Sequence, residues 1–109
     1  MEQELWYFEE NLLMPLQADT KEEALTQLGT LLLNNGYVKE SFIPAILARE
    51  AEYATGLPTG EIGVAIPHTD AIHVNKQAVA VGILEKPVQF CIMGDPDNTP
   101  TDVNIILML

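Results

Sequence analysis

The sequence predicts one small sheet domain of the α/β or α+β class, and three observations carry that expectation. Two segments with helical periodicity come first, several short apolar runs bounded by turn residues follow them, and 109 residues leave room for a single hydrophobic core. Asp19-Thr20 ahead of Lys21-Glu22-Glu23 reads as a helix start, because a short oxygen-bearing side chain can accept from the free N–H groups while acidic residues face the positive end of the helix dipole. Ala24, Leu25, Leu28, Leu31 and Leu32 then recur at helical spacing and form one apolar face, and Asn34-Asn35-Gly36 supplies the stop. A second helix is predicted from about Ser41 to Glu52, with Phe42, Ile46 and Arg49 sharing a side. Pro44 falls in its first turn, where a missing N–H is tolerated.

The character changes after Tyr53. Gly56, Pro58, Gly60 and Gly63 read as a loop, and Val64-Ala65-Ile66 as a short buried strand. Ala78–Leu84 and Val103–Leu109 are further expected strands, Val88-Gln89-Phe90 is another candidate, and Asp95-Pro96-Asp97-Asn98-Thr99-Pro100 is a turn-rich connection. Trp6, Tyr7 and Phe8 read as a core-packing strand, with Cys91 and Met93 as core filling. The chain stops inside the apolar run Val103–Leu109. A strand that apolar is expected to be covered by something further on, so the sequence reads as the N-terminal part of a longer domain; the alternative is an edge strand.

Composition narrows the partners. Five basic against 16 acidic side chains give a net charge of −11, which repels nucleic acid and anionic lipid and speeds encounter with a basic protein; solubility alone is the plainer account of it. No apolar run approaches the ~20 residues of a membrane helix. The start Met1-Glu2-Gln3-Glu4 is acidic, unlike a secretory signal, and the lone Cys91 cannot form an internal disulfide, so the expected location is the cytoplasm. A phosphate-binding P-loop, a dinucleotide fingerprint and a serine nucleophile elbow are all missing, so no nucleotide or other cofactor is expected.

The chemistry concentrates between Thr55 and Asp70. Pro67 follows the expected strand, cannot extend a central ladder and holds Ile66 extended, which leaves His68 at the tip of a stiff strand. An imidazole with an ordinary pKa of ~6.5 is mostly neutral near pH 7 and offers a lone pair for attack on phosphorus. A phosphoryl group in transit chiefly needs positioning and donors to its three oxygens. Thr55, Thr69, Arg49 and backbone N–H groups are the candidate donors, and either a backbone carbonyl or Glu50 would hold the other ring nitrogen. A structural or merely exposed histidine is the plainer reading. A rival reading groups His68, Asp70 and His73 as zinc or iron ligands of a metal-dependent hydrolase, although no further Cys or His completes such a set and no metal is the expectation. Asp70 is either the cap of a short helix over Ala71 to Val74 or a turn residue, and His73 is expected at the surface.

The run Gly63-Val64-Ala65-Ile66-Pro67-His68, preceded by Arg49-Glu50 and Thr55-Gly56, resembles the active-site signature of the fructose–mannitol class (type 2) of enzyme IIA domains of the bacterial phosphotransferase system. The surrounding residues Pro58-Thr59 and Ala65-Ile66-Pro67-His68-Thr69-Asp70-Ala71 are similar to the galactitol-specific branch, and the resemblance runs over nearly the whole chain. It implies an α/β domain with a mixed central sheet flanked by helices. It also implies a phosphoryl group taken from HPr on His68 and passed to enzyme IIB, then through membrane enzyme IIC to a sugar or polyol, galactitol first. Arg49 matches the family arginine that supports the phosphate. Family members run to ~150 residues and carry another active-site histidine beyond the strand on which this chain ends. A regulatory enzyme-IIA-like module, acting by phosphorylation-dependent protein binding, is the second reading; a start at Met1 without an adjoining DNA-binding segment favours the free-standing carrier.

Overall fold

A computed structural model describes residues 12–108. Strand β1 (Leu13–Leu16) leads into helices α1 (Lys21–Asn34) and α2 (Phe42–Glu52). Strands β2 (Gly56–Pro58) and β3 (Gly63–Ala65), a 3-10 turn at Ala71–His73, and the longer strands β4 (Ala80–Cys91) and β5 (Pro100–Met108) complete it. The five strands form one sheet in the order β1-β4-β5-β3-β2. Neighbours alternate between parallel (β1 with β4, β5 with β3) and antiparallel (β4 with β5, β3 with β2), so the sheet is mixed, as the family resemblance implies.

Both helices form where the sequence places them. Thr20 is the N-cap of α1 and its hydroxyl accepts from the Glu23 N–H at 3.2 Å, while the Glu23 carboxylate takes the Asp19 N–H at 2.8 Å. Gly36, at φ 79°, follows the last turn in a conformation that costs glycine little. Leu25, Leu28 and Leu32 of α1 and Phe42 and Ile46 of α2 enter the same core cluster as Ala65, Ala80, Leu84, Phe90, Val103 and Ile106 of the sheet. α1 packs on β4 and on α2. The opposite face of the sheet is more open, with Leu13 at 44% and Ile83 at 47% exposure.

Four departures from the sequence reading have physical causes. Gly56–Pro58, expected as loop, is strand β2, because the glycines permit a tight hairpin whose two arms pair from Gly56–Ala65 to Pro58–Gly63. Ala78–Leu84 and Val88–Phe90 belong to one strand, β4, with an irregularity between Ile83 and Val88 that accommodates Pro87 and its missing N–H. Leu13–Leu16 carries no strand signal in the sequence because Pro15 interrupts four residues, yet Pro15 is tolerated at a sheet edge. Met93 is 38% exposed and Cys91 only half-buried, since both sit where β4 gives way to the following turn. The expected strand at Trp6, Tyr7 and Phe8 lies outside the described residues.

Gly63 decides where the site can be. A Cβ there would run into the backbone carbonyl of Asp102, so β3 lies against β5 only because this position has no side chain. The Gly63 N–H donates to Asn104 Oδ1 at 3.0 Å, and the parallel register Val64–Ile105 and Ala65–Ile106 then aims the end of β3 along β5.

Candidate functional site

The backbone leaves β3 at Ala65, and the Ile66 N–H donates to the Thr55 carbonyl at 3.3 Å, which carries the hairpin pairing one step past the strand. Pro67 is buried, and His68 follows half-buried. His68 Nδ1 lies 3.0 Å from the Ile66 carbonyl oxygen. A carbonyl only accepts, so Nδ1 must carry the proton, and the lone pair resides on Nε2. The sequence left open whether a backbone carbonyl or Glu50 holds the ring; the backbone carbonyl does.

Glu50 is one step removed. It is 3% exposed, and its two carboxylate oxygens accept from Thr55, Oε2 from the N–H at 2.8 Å and Oε1 from the hydroxyl at 2.7 Å. Burial pushes the Glu50 carboxyl above its ordinary value, against the opposing pull of those two hydrogen bonds and of Lys21 and His68. Thr55, expected as a phosphate donor, therefore already spends its hydroxyl proton on Glu50, and at 2% exposure it belongs to the support of the site.

Arg49 occupies the last turn of α2. Its Nη1 is 3.4 Å from Asp70 Oδ1, its guanidinium carbon lies 5.1 Å from the centre of the Tyr53 ring, and its Nε is buried with no partner among the described residues. The helix thus brings the arginine to the segment that bears His68, two residues before Asp70. The ion pair itself is exposed on the Asp70 side and worth little; a guanidinium so loosely held keeps donors for an arriving anion. Thr69 is half-buried and, with His68, borders a cleft of about 320 Å³ whose other walls include Leu32, Val38, Phe42 and Val74. Sequence reasoning missed that cleft, because its walls come from α1, α2 and the segment after the 3-10 turn.

The metal reading is corrected. His73 Nδ1 is 2.8 Å from Ser41 Oγ at the start of α2, Asp70 is turned to Arg49, and Nδ1 of His68 is on the Ile66 carbonyl. Among the described residues no three His, Cys, Asp or Glu side chains converge as metal ligands do. Asp70 precedes the 3-10 turn Ala71–His73 and its carbonyl accepts from the His73 N–H at 3.2 Å, but its side chain caps nothing. Both alternatives for Asp70 are therefore half right in position, with the carboxylate committed elsewhere.

The mixed sheet thus presents a proline-stiffened histidine just past a strand end, with an arginine delivered by the preceding helix. By the match of residues 7–109 the chain belongs to the family described as phosphoenolpyruvate-dependent sugar phosphotransferase system, EIIA 2. It is 32% identical over 89 residues to the galactitol-specific EIIA component of Escherichia coli (strain K12), an alignment covering 82% of this chain and 59% of that protein. It is 30% identical over 74 residues to the transcriptional regulator ManR of Bacillus subtilis (strain 168), covering 68% of this chain and 11% of that protein. Among solved structures it is similar to the complex of enzyme IIAMTL with phosphorylated enzyme IIBMTL from Escherichia coli, at TM-score 0.76 and 26% identity over 95% of this chain and 69% of that one. The chain spans 59% of the length of the galactitol-specific relative.

Proposed function

We propose that the chain is a phosphocarrier whose Nε2 of His68 accepts a phosphoryl group from phosphorylated HPr and yields it to enzyme IIB during uptake and phosphorylation of a sugar or polyol, with galactitol the first candidate. In the first transfer the Nε2 lone pair forms the new N–P bond as the donor's bond to phosphorus breaks and its electron pair returns to the donor. The second transfer reverses the roles. Ring charge that develops at His68 is eased by the Nδ1–H bond to the Ile66 carbonyl, and Arg49, together with Thr69, supplies charge and donors to the phosphoryl oxygens. The observation that carries the reading is that carbonyl: it accepts from Nδ1–H, which keeps the proton on that nitrogen and leaves the Nε2 lone pair free on a half-buried ring just past the strand end.

Family membership supports the carrier chemistry, the galactitol-specific relative supports the substrate, and the likeness to an enzyme IIA captured with phosphorylated enzyme IIB supports the acceptor. A net charge of −11 favours a basic donor. We assign the carrier to the cytoplasm, and the 109 residues to the N-terminal part of a domain of ~150. Incubation with phosphorylated HPr should give an acid-labile, base-stable label that disappears in His68→Ala; a label that persists in that variant refutes the assignment. The likeness to ManR supports the second reading, a regulatory module switched by the same histidine. Transfer of the label onward to enzyme IIB separates them, since a purely regulatory module has no need to give the group up.

A further inference from the structure

We propose that Glu50 is a positioning residue for His68, selecting which ring nitrogen is the nucleophile through Thr55 and Ile66 without touching the ring. The inference rests on the phosphocarrier reading for its meaning, but not for its geometry. A carboxylate at 3% exposure is ordinarily matched by a cation. Glu50 instead spends both oxygens on one residue, taking the Thr55 N–H at 2.8 Å and the Thr55 hydroxyl at 2.7 Å. Two anchors on a single residue fix its orientation, and Thr55 stands at the point where the chain leaves α2 for β2.

What Thr55 then presents is its carbonyl, which accepts from the Ile66 N–H at 3.3 Å. Ile66 precedes Pro67, so its ψ is confined to the extended region and its own carbonyl follows its N–H stiffly. That carbonyl holds His68 Nδ1 at 3.0 Å. The path from carboxylate to imidazole is therefore three hydrogen-bonded steps with one soft dihedral locked by proline. The helical turn that ends in Glu50 also carries Arg49 to the outer side. One turn of α2 thus places the phosphate-side cation and, facing inward, the group that orders the nucleophile.

The two ring nitrogens of His68 are read directly by 15N NMR of the unphosphorylated protein, at a pH where the imidazole is neutral. The wild-type chain should show one tautomer, with the proton on Nδ1. Glu50→Gln should keep it, because the amide oxygen can accept from the Thr55 N–H while its NH2 donates to the hydroxyl. Glu50→Met and Thr55→Val should each lower the Nδ1–H to Nε2–H ratio about tenfold, as expected for weakening one hydrogen bond, and speed hydrogen exchange at the Ile66 amide. Phosphorylation by HPr should fall in kcat rather than KM in the same two variants, with Gln rescuing. A residue that only stabilises the fold would lower the melting temperature and leave the tautomer alone. A wild-type tautomer in a folded Thr55→Val chain overturns the proposal, and that conservative variant decides the matter if Glu50→Met fails to fold. Because no phosphoryl donor enters the NMR measurement, a shifted tautomer in a protein that takes no label would sink the carrier reading and leave this one standing.

Discussion

Replacing Gly63 by alanine should damage the site from a distance, and the size of the damage follows from the strand contact. The added methyl would point into the Asp102 carbonyl of the neighbouring strand, a backbone group that has no flexible end to move aside. Strand β3 must then step away from β5, which strains the Gly63 N–H bond to Asn104 Oδ1 and the register at Val64–Ile105 and Ala65–Ile106. Overpacking of this kind costs about 1–3 kcal/mol and one weakened hydrogen bond about 1 kcal/mol more. For a domain of this size each kcal/mol lowers the midpoint by roughly 4–8 °C, so a fall on the order of 10–30 °C is expected in a thermal melt. His68 sits at the far end of the displaced strand, so its labelling by phosphorylated HPr at low temperature, where the variant is still folded, should slow by at least an order of magnitude, the loss expected when a reacting group is moved by about 1 Å. A Gly63→Ala chain that melts within a degree or two of wild type and labels at the same rate would show that the close approach of β3 to β5 does not hold the histidine in place.

Further outcomes follow from the same geometry. Arg49→Ala should reduce phosphoryl transfer roughly 10- to 100-fold, the worth of a charge-assisted hydrogen bond, with little change in melting temperature, because the Asp70 pair that it also removes is exposed; stopped-flow transfer from HPr checks it. His73→Ala should label as fast as wild type and bind no more or less zinc by metal analysis, since its Nδ1 faces Ser41 and not the site. The Glu50 carboxyl is raised above its ordinary 4.5, so the stability it contributes is full below that value and is lost as pH rises through the folded pKa. Glu50→Gln, which stays neutral, should therefore gain on wild type in melting temperature between pH 4 and pH 8; a difference that shrinks over that range would contradict the sign. Asp95 is held below its ordinary value, first by Thr99 and then by the Asp97 N–H, so the order of its turn should persist above pH 4 and weaken as pH falls through the depressed value, which the amide shifts of Asp97 and Thr99 would report.

Much of this was legible because local signals and packing agree. Thr20 and the leucine spacing of α1 are determined within one helix, and the Pro67-His68 step declares a stiffened strand end by itself. The supports of the histidine were less legible. That Thr55 serves Glu50 rather than a phosphate depends on how α2 enters β2, and five residues of separation in the chain do not announce a double hydrogen bond. The commitment of Asp70 to Arg49 and of His73 to Ser41 joins positions 21 and 32 residues apart, which no spacing rule encodes. Strand β2 was hidden for the opposite reason. Its Gly-Leu-Pro sequence has the composition of a turn, and only pairing with β3 makes it a strand.

The nitrogen that carries phosphorus is the most direct test of the whole account. In a 15N-histidine sample phosphorylated by HPr, one-bond coupling to 31P should appear on Nε2 of His68, while Nδ1 keeps its proton and its bond to the Ile66 carbonyl. Coupling on Nδ1, or a phosphoryl group on any residue other than His68, would contradict it.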